Sequence, residues 1–218
     1  ELLEEKFEVK ITEEAIAKEI KKRNGKTLLV FPAHSTENSA VKYEVNAFES
    51  SVAELTQRLS IETVFYCLYF NDFNNGLADL YRSMGKNIVC AGHRSDPKFL
   101  QRLKTYILLS DFSASNAVGT HVGYCEYLGS PHFLFNLPVS WTDDSDALKN
   151  CDWERKTEDQ DRQVIFQALQ LPIGSDARYK ALDYYWGFSK VRSKENLQAA
   201  FVLLDKAYRG SVSLNDPS

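Results

Sequence analysis

Cysteine is scarce in this chain and never closely paired. Four occur in 218 residues, Cys67, Cys90, Cys125 and Cys151, and none forms a CxxC spacing. Three sit inside apolar runs, so they read as buried thiols of a reducing compartment. A disulfide framework or a structural zinc site would need a different spacing. No apolar run reaches the length of a membrane span, and no signal peptide opens the sequence. Positive charge is not in excess either: 26 Lys and Arg stand against 30 Asp and Glu, a formal net charge of −4. A broad nucleic-acid-binding surface is therefore disfavoured, although a local basic pocket is not.

Several phosphate and catalytic signatures are also missing. No GKS or GKT follows a glycine loop, which excludes a Walker A site, and no GxGxxG marks a dinucleotide fold. No GxSxG elbow supports serine-hydrolase chemistry. Asp143-Asp144 is the nearest approach to a DxD metal pair, but it falls in an acidic connection rather than at a strand end. We therefore expect no metal and no cofactor. Internal repeats and low-complexity tracts are absent.

What is present is ample for a packed core: hydrophobic residues make up 44% and aromatics 12%. The opening 26 residues are charge-balanced, with Thr12 able to cap a helix carrying Ile16 and Ile20 that stops near Gly25. KTLLVFP (Lys26–Pro32) is continuously apolar, as in a strand buried on both faces. Val41, Val45, Phe48, Val52, Leu55 and Leu59 then share one helical stripe. TVFYCLYF, NIVCA, a short run ending at Ser115, and HFLF supply further strands. A short helix ends at Gly85, and another opens with Asp96 as cap and Pro97 in its first turn. This alternation from Lys26 to Phe135 predicts an α/β fold with a doubly wound, mainly parallel Rossmann-like sheet, helices on both faces and a C-terminal helical extension. Three segments follow: residues 1–25 as a helical lead-in, 26–136 as the core, and 137–218 as an acidic connection with helices packing on the core. A start at Glu1 rather than at a methionine suggests a piece of a longer protein.

Ligands of parallel sheets bind beyond the carboxyl ends of the strands. The loops there hold His34–Ser39, Asn71–Asn75, Gly92–Asp96 and Ser115–His121, and with them three of the four histidines. The most informative stretch is SDFSASNAVGTHVGYCEYLGSPH, Ser110–His132. Its turn places Ser115, Asn116, Gly119, Thr120 and His121 at a helix N-terminus, where unpaired N–H groups and the dipole favour an anion such as a phosphate. His93 and Arg94 offer an imidazole and a guanidinium suited to bidentate phosphate contact. His34, Ser35, Thr36 and Glu37 form a third cluster, which capping of the next helix explains equally well. Glu126 could reach a ribose from the motif helix, whereas a surface glutamate is the plainer reading. The cluster DYYWGF (Asp183–Phe188) reads as a packed helical cap.

The layout of that motif, with Leu128-Gly129-Ser130-Pro131 in an LGxP place and His93-Arg94 on the preceding strand loop, resembles the C-terminal half of GT-B-type glycosyltransferases of bacterial capsule and lipopolysaccharide assembly. The resemblance covers about Thr27 to Phe135. It implies a nucleotide-sugar donor as substrate, bound by Ser115, Asn116, Gly119 and Thr120 with His93 and Arg94 alongside. It further implies a glycan or lipid-linked glycan acceptor, a metal-independent displacement, and a cytoplasmic enzyme, peripheral at the inner membrane, whose N-terminal half would complete the cleft. The sugar-nucleotide 2-epimerases are similar too, but their acidic pair in the motif helix is Gly123-Tyr124 here. A Rossmann-like interaction module without catalysis is the remaining alternative.

Overall fold

The computed structural model describes residues 19, 21–35, 39–143 and 152–208. In chain order the elements are β1 (Thr27–Phe31), β2 (Ser39–Tyr43), α1 (Val45–Leu59), β3 (Thr63–Leu68), α2 (Leu77–Ser83), β4 (Asn87–Cys90), α3 (Phe99–Leu108), β5 (Phe112–Ser115), α4 (Thr120–Tyr127), β6 (His132–Leu134), β7 (Val139–Asp143), α5 (Asp152–Gln170), α6 (Asp176–Trp186) and α7 (Lys194–Tyr208). Thr12, Ile16 and Ile20 lie outside the described residues. Residues 21–24 are helical, and Gly25 ends them at φ 68°.

All five residues of β1 are buried, because helices cover both faces of the central strand. Leu28 and Val30 pack on Phe48, Val52 and Leu55 of α1. Leu29 and Phe31, pointing the opposite way, pack on Leu103 and Ile107 of α3 and Cys125 of α4. Two-residue alternation along one strand thus creates two separate cores. The sheet has five strands in the order β4-β3-β1-β5-β6, and every pairing in it is parallel. Counting only these strands, the order is 3-2-1-4-5, that of a doubly wound Rossmann-like sheet. The chain turns back on itself between β1 and β5, where Phe31 lies opposite Ser115.

Four sequence expectations need correction. Val41 is not in the helical stripe: it lies in β2, which pairs antiparallel with β7, and α1 starts only at Val45. A pairing between residues about a hundred positions apart overrides the local spacing. The second strand of this ribbon, β7, lies within the stretch read as an acidic connection. The same stretch ends in helix, since α5 begins at Asp152, where Glu, Arg, Lys and Gln are good helix formers despite carrying no apolar stripe. Asp96 caps no helix. It closes a turn instead, with Oδ1 accepting from the Lys98 N–H at 2.8 Å, and α3 begins at Phe99.

The fourth correction concerns the C-terminal helices, of which only two cover the core. Ile165, Ala168 and Leu169 of α5 and Leu182 of α6 pack with Val122 and Leu134. Helix α7 is capped by Ser193, whose Oγ accepts from the Asn196 N–H at 3.2 Å. It buries no residue, and its Phe201 and Leu204 face solvent, so it does not pack on the core as expected. Among the described residues no helix is long and apolar enough to cross a membrane. Cys67, Cys90 and Cys125 are buried free thiols, and Cys151 lies outside the described residues.

Candidate functional site

A cavity of about 340 Å³ opens beyond the carboxyl ends of β1, β3 and β4, over the point where the strand order reverses. Its floor is Phe31 and the Pro32-Ala33 backbone. Gly119, Thr120 and His121, from the start of α4, form one wall, and His34 and Tyr69 stand on another. Trp141 of β7 closes a further side. This is the crevice in which doubly wound sheets hold their ligands.

Asn116 shapes the cavity without lining it. It is fully buried, and its Oδ1 accepts the Ala33 N–H at 2.7 Å, tying the β1 loop to the end of β5 across the reversal point. Ser115 is equally buried. Its Oγ donates to the Ala117 carbonyl at 2.7 Å and lies 2.9 Å from His132 Nε2. His132 Nδ1 lies 2.9 Å from Ser113 Oγ, which also reaches the Ser130 carbonyl at 3.2 Å, so the ring is held between two buried serine hydroxyls. Burial, with further contributions from His121 and Arg178, holds His132 well below the usual imidazole range. The pair Ser115 and Asn116, expected to face phosphates, thus builds the support under the loop.

Gly119 also has a different reason from the one expected. Its φ of −164° is extended backbone that any residue adopts. A Cβ there would stand 2.9 Å from His121 Nδ1, so the glycine makes room for the imidazole. That ring stacks on Phe31 at 4.8 Å and meets His132 edge-on at 5.5 Å. Its Nε2 is buried and takes no hydrogen bond. Burial pushes His121 down to about 3, with the His34 charge adding to the effect and the Ala117 carbonyl opposing it. At neutral pH His121 is therefore an uncharged ring, unsuited to binding an anion by charge. What this wall could offer an anion is the N–H groups of Thr120 and His121 at the start of α4 and the Thr120 hydroxyl, since the Val122 N–H already meets the Gly119 carbonyl at 3.1 Å.

His34 is exposed, with its ring 4.7 Å from that of Tyr69 and its Nδ1 3.2 Å from the Ser35 carbonyl. Ser35 Oγ accepts the Val41 N–H at 3.0 Å and so anchors the ribbon. Thr36, Glu37 and Asn38 lie outside the described residues. No protein-family model matches this chain, and no curated protein sequence matches it.

His93 and Arg94 are not on the cavity wall, although Gly92 beside them is. The His93 ring meets Phe70 edge-on at 4.6 Å, and its Nδ1 accepts the Ser95 N–H at 3.1 Å. The loop is fixed by a cation the sequence did not single out. Arg102 is buried, donating through Nη1 to Asp96 Oδ2 at 2.6 Å and to the Ala91 carbonyl at 3.1 Å. Gly92 sits against that guanidinium at φ 89°, where a Cβ would come within 3.0 Å of Nη1. Glu126 is also committed elsewhere, to Arg178 and to the His132 N–H, and so does not serve as a ribose ligand.

Sequence reasoning also missed Asp72 and Trp141. Asp72 is fully buried in the turn after β3, where its Oδ2 accepts the Tyr69 N–H at 2.9 Å. Burial pushes its carboxyl up to about 6, partly offset by that N–H and by His34. Its place in a strand-end loop was the available signal. For Trp141 the signal was the alternation in Val139-Ser140-Trp141. Among the described residues no group of His, Cys, Asp and Glu is arranged to hold a metal ion.

Proposed function

We propose that this chain is the donor-binding half of a GT-B-like glycosyltransferase that transfers a sugar from a nucleotide-sugar to a cell-surface glycan or lipid-linked glycan. One observation carries the reading: the cavity over the strand-order reversal is walled by Gly119 and Thr120 at the N-terminus of α4. The diphosphate of a donor would lie against those N–H groups and the Thr120 hydroxyl. As the bond from the anomeric carbon to the phosphate oxygen breaks, negative charge grows on the leaving nucleotide. Fixed donors aimed at that charge lower the barrier. A hydroxyl oxygen of the glycan acceptor would form the new bond to the anomeric carbon, and the base that takes its proton would come from a second domain facing the cavity. In this reading the enzyme works in the cytoplasm, at the inner face of the membrane where lipid-linked acceptors gather.

A thermal-shift panel of CMP, UDP, GDP and ADP with their sugar conjugates tests the reading. A ligand at 100 times its dissociation constant stabilises the fold by about 2.7 kcal/mol. One nucleotide is expected to raise the melting temperature of the wild type, with the response reduced in Thr120→Ala and retained in Arg94→Ala, whose side chain is off the wall. No response to any nucleotide would reject donor binding by this chain.

A further inference from the structure

We propose that Trp141 is the platform on which the base of a nucleotide stacks in the cavity. The inference rests on the donor-binding reading above and adds the residue that would read the ring. Both strands of the small ribbon are excursions on the carboxyl side of the sheet, β2 between β1 and α1, and β7 after β6. Their register places Val41 opposite Trp141, in the middle of the ribbon. Ser35 Oγ holds the Val41 N–H, and Arg162 Nη2 donates to the Leu137 carbonyl at 3.0 Å just before β7. The indole is thus carried on a braced support.

Trp141 lines the cavity, yet 46% of it remains exposed. Trp186, by contrast, packs in the α4–α6 core. A half-open indole on a cavity wall presents a flat apolar face that a planar ring can cover, and base–aromatic stacking tolerates any base. The cavity divides its chemistry to match: N–H groups and a hydroxyl at α4, aromatic surface at Trp141 and at the His34–Tyr69 pair. A nucleoside diphosphate has the same division, an anionic end joined to a planar end.

The test is calorimetric titration of the 218-residue chain, wild type, Trp141→Ala and Trp141→Phe, with ADP, GDP, CDP and UDP, and with ribose 5-phosphate and pyrophosphate as ligands lacking the base. The proposal expects at least one nucleoside diphosphate to bind the wild type. Trp141→Ala should then weaken it by about tenfold or more, and Trp141→Phe should recover most of the loss. Pyrophosphate should bind all three proteins alike, and the nucleotide should quench tryptophan emission in the wild type only. Equal nucleotide affinity in wild type and Trp141→Ala would overturn the stacking role while leaving donor binding intact. A matching loss for pyrophosphate would make Trp141 a brace of the ribbon, and a matching loss for ribose 5-phosphate would assign it to the sugar; either overturns the proposal. Failure of every nucleotide to bind the wild type would overturn the donor-binding reading and this inference together.

Discussion

The Arg178 guanidinium and the Glu126 carboxylate meet at two points, Nη2 to Oε1 at 2.5 Å and Nε to Oε2 at 3.1 Å, joining α6 to α4 across 52 positions of sequence. The pair is almost shut off from water, with side-chain exposures of 3% and 12%. Arg178 also donates to the carbonyls of His132 and Leu169, while Glu126 accepts the His132 N–H. The C-terminal helices are thereby held to the motif helix and to the edge strand β6.

Breaking that pair from one side should be costly. A buried charge left alone destabilises by about 3–5 kcal/mol, more than the pair itself contributes. Arg178→Met is therefore expected to lower stability by that order in urea unfolding. Adding Glu126→Gln should recover part of the loss, since it removes the stranded carboxylate. A double variant no more stable than Arg178→Met would show that the carbonyl contacts of Arg178, and not the ion pair, dominate.

Gly119 and His121 form a second coupled pair. Gly119→Ala adds a methyl against the imidazole in backbone that is otherwise permissive. The expected cost is about 1–3 kcal/mol of overpacking. In a His121→Ala background the same substitution should cost little, because the obstructing ring is gone. A double-mutant cycle by chemical denaturation measures the coupling. Additive losses would mean that Gly119 is needed for its backbone and not for the ring beside it.

The strands were readable because burial on both faces leaves a continuous apolar run, as in Leu28, Leu29, Val30 and Phe31. The ribbon was not, since Val41 fits a helical stripe equally well and its true partner, Trp141, is a hundred residues away. At the site, the sequence located the strand-end loops and the start of α4 correctly in space. It could not orient side chains, and so gave Ser115 and Asn116 the role of ligands when their hydrogen bonds turn inward. It likewise favoured His93 and Arg94, where the enclosed Arg102 and its Asp96 partner organise the loop. Composition distinguishes an exposed arginine from a buried one only through contacts that the fold creates.

Acid sensitivity follows from the buried titrating groups. His121 and His132 are held below the ordinary imidazole range, so the unfolded chain binds their protons first. Their contribution to stability is present above about pH 6.5 and is lost as pH falls toward the folded values. Asp72 acts in the opposite sense: raised to about 6, it favours the folded state below its unfolded value and loses that contribution as pH rises toward 6. Between pH 4 and 6 two histidines oppose one aspartate. Stability should therefore fall on acidification by roughly 1.4 kcal/mol per pH unit. Urea midpoints at pH 4.5, 5.5, 6.5 and 7.5 give the slope. Asp72→Asn should steepen it and His121→Phe should flatten it, and an unchanged slope in both would reject these assignments.

Gly123 and Trp186 supply a prediction whose sign reverses with background. Gly123 is buried in α4, and the indole of Trp186 lies where its Cβ would be. Glycine inside a helix costs about 1 kcal/mol relative to alanine, so the position is retained at an expense in helix propensity. In the wild type, Gly123→Ala should destabilise, because the indole must move out of the core it shares with Val122 and Leu182. In a Trp186→Ala background the space is free, and the same substitution should stabilise by up to about 1 kcal/mol. Thermal and urea unfolding of the four proteins decides the matter. Destabilisation in both backgrounds would mean that Gly123 is fixed by contacts other than Trp186, and the α4–α6 seam would then not depend on the indole.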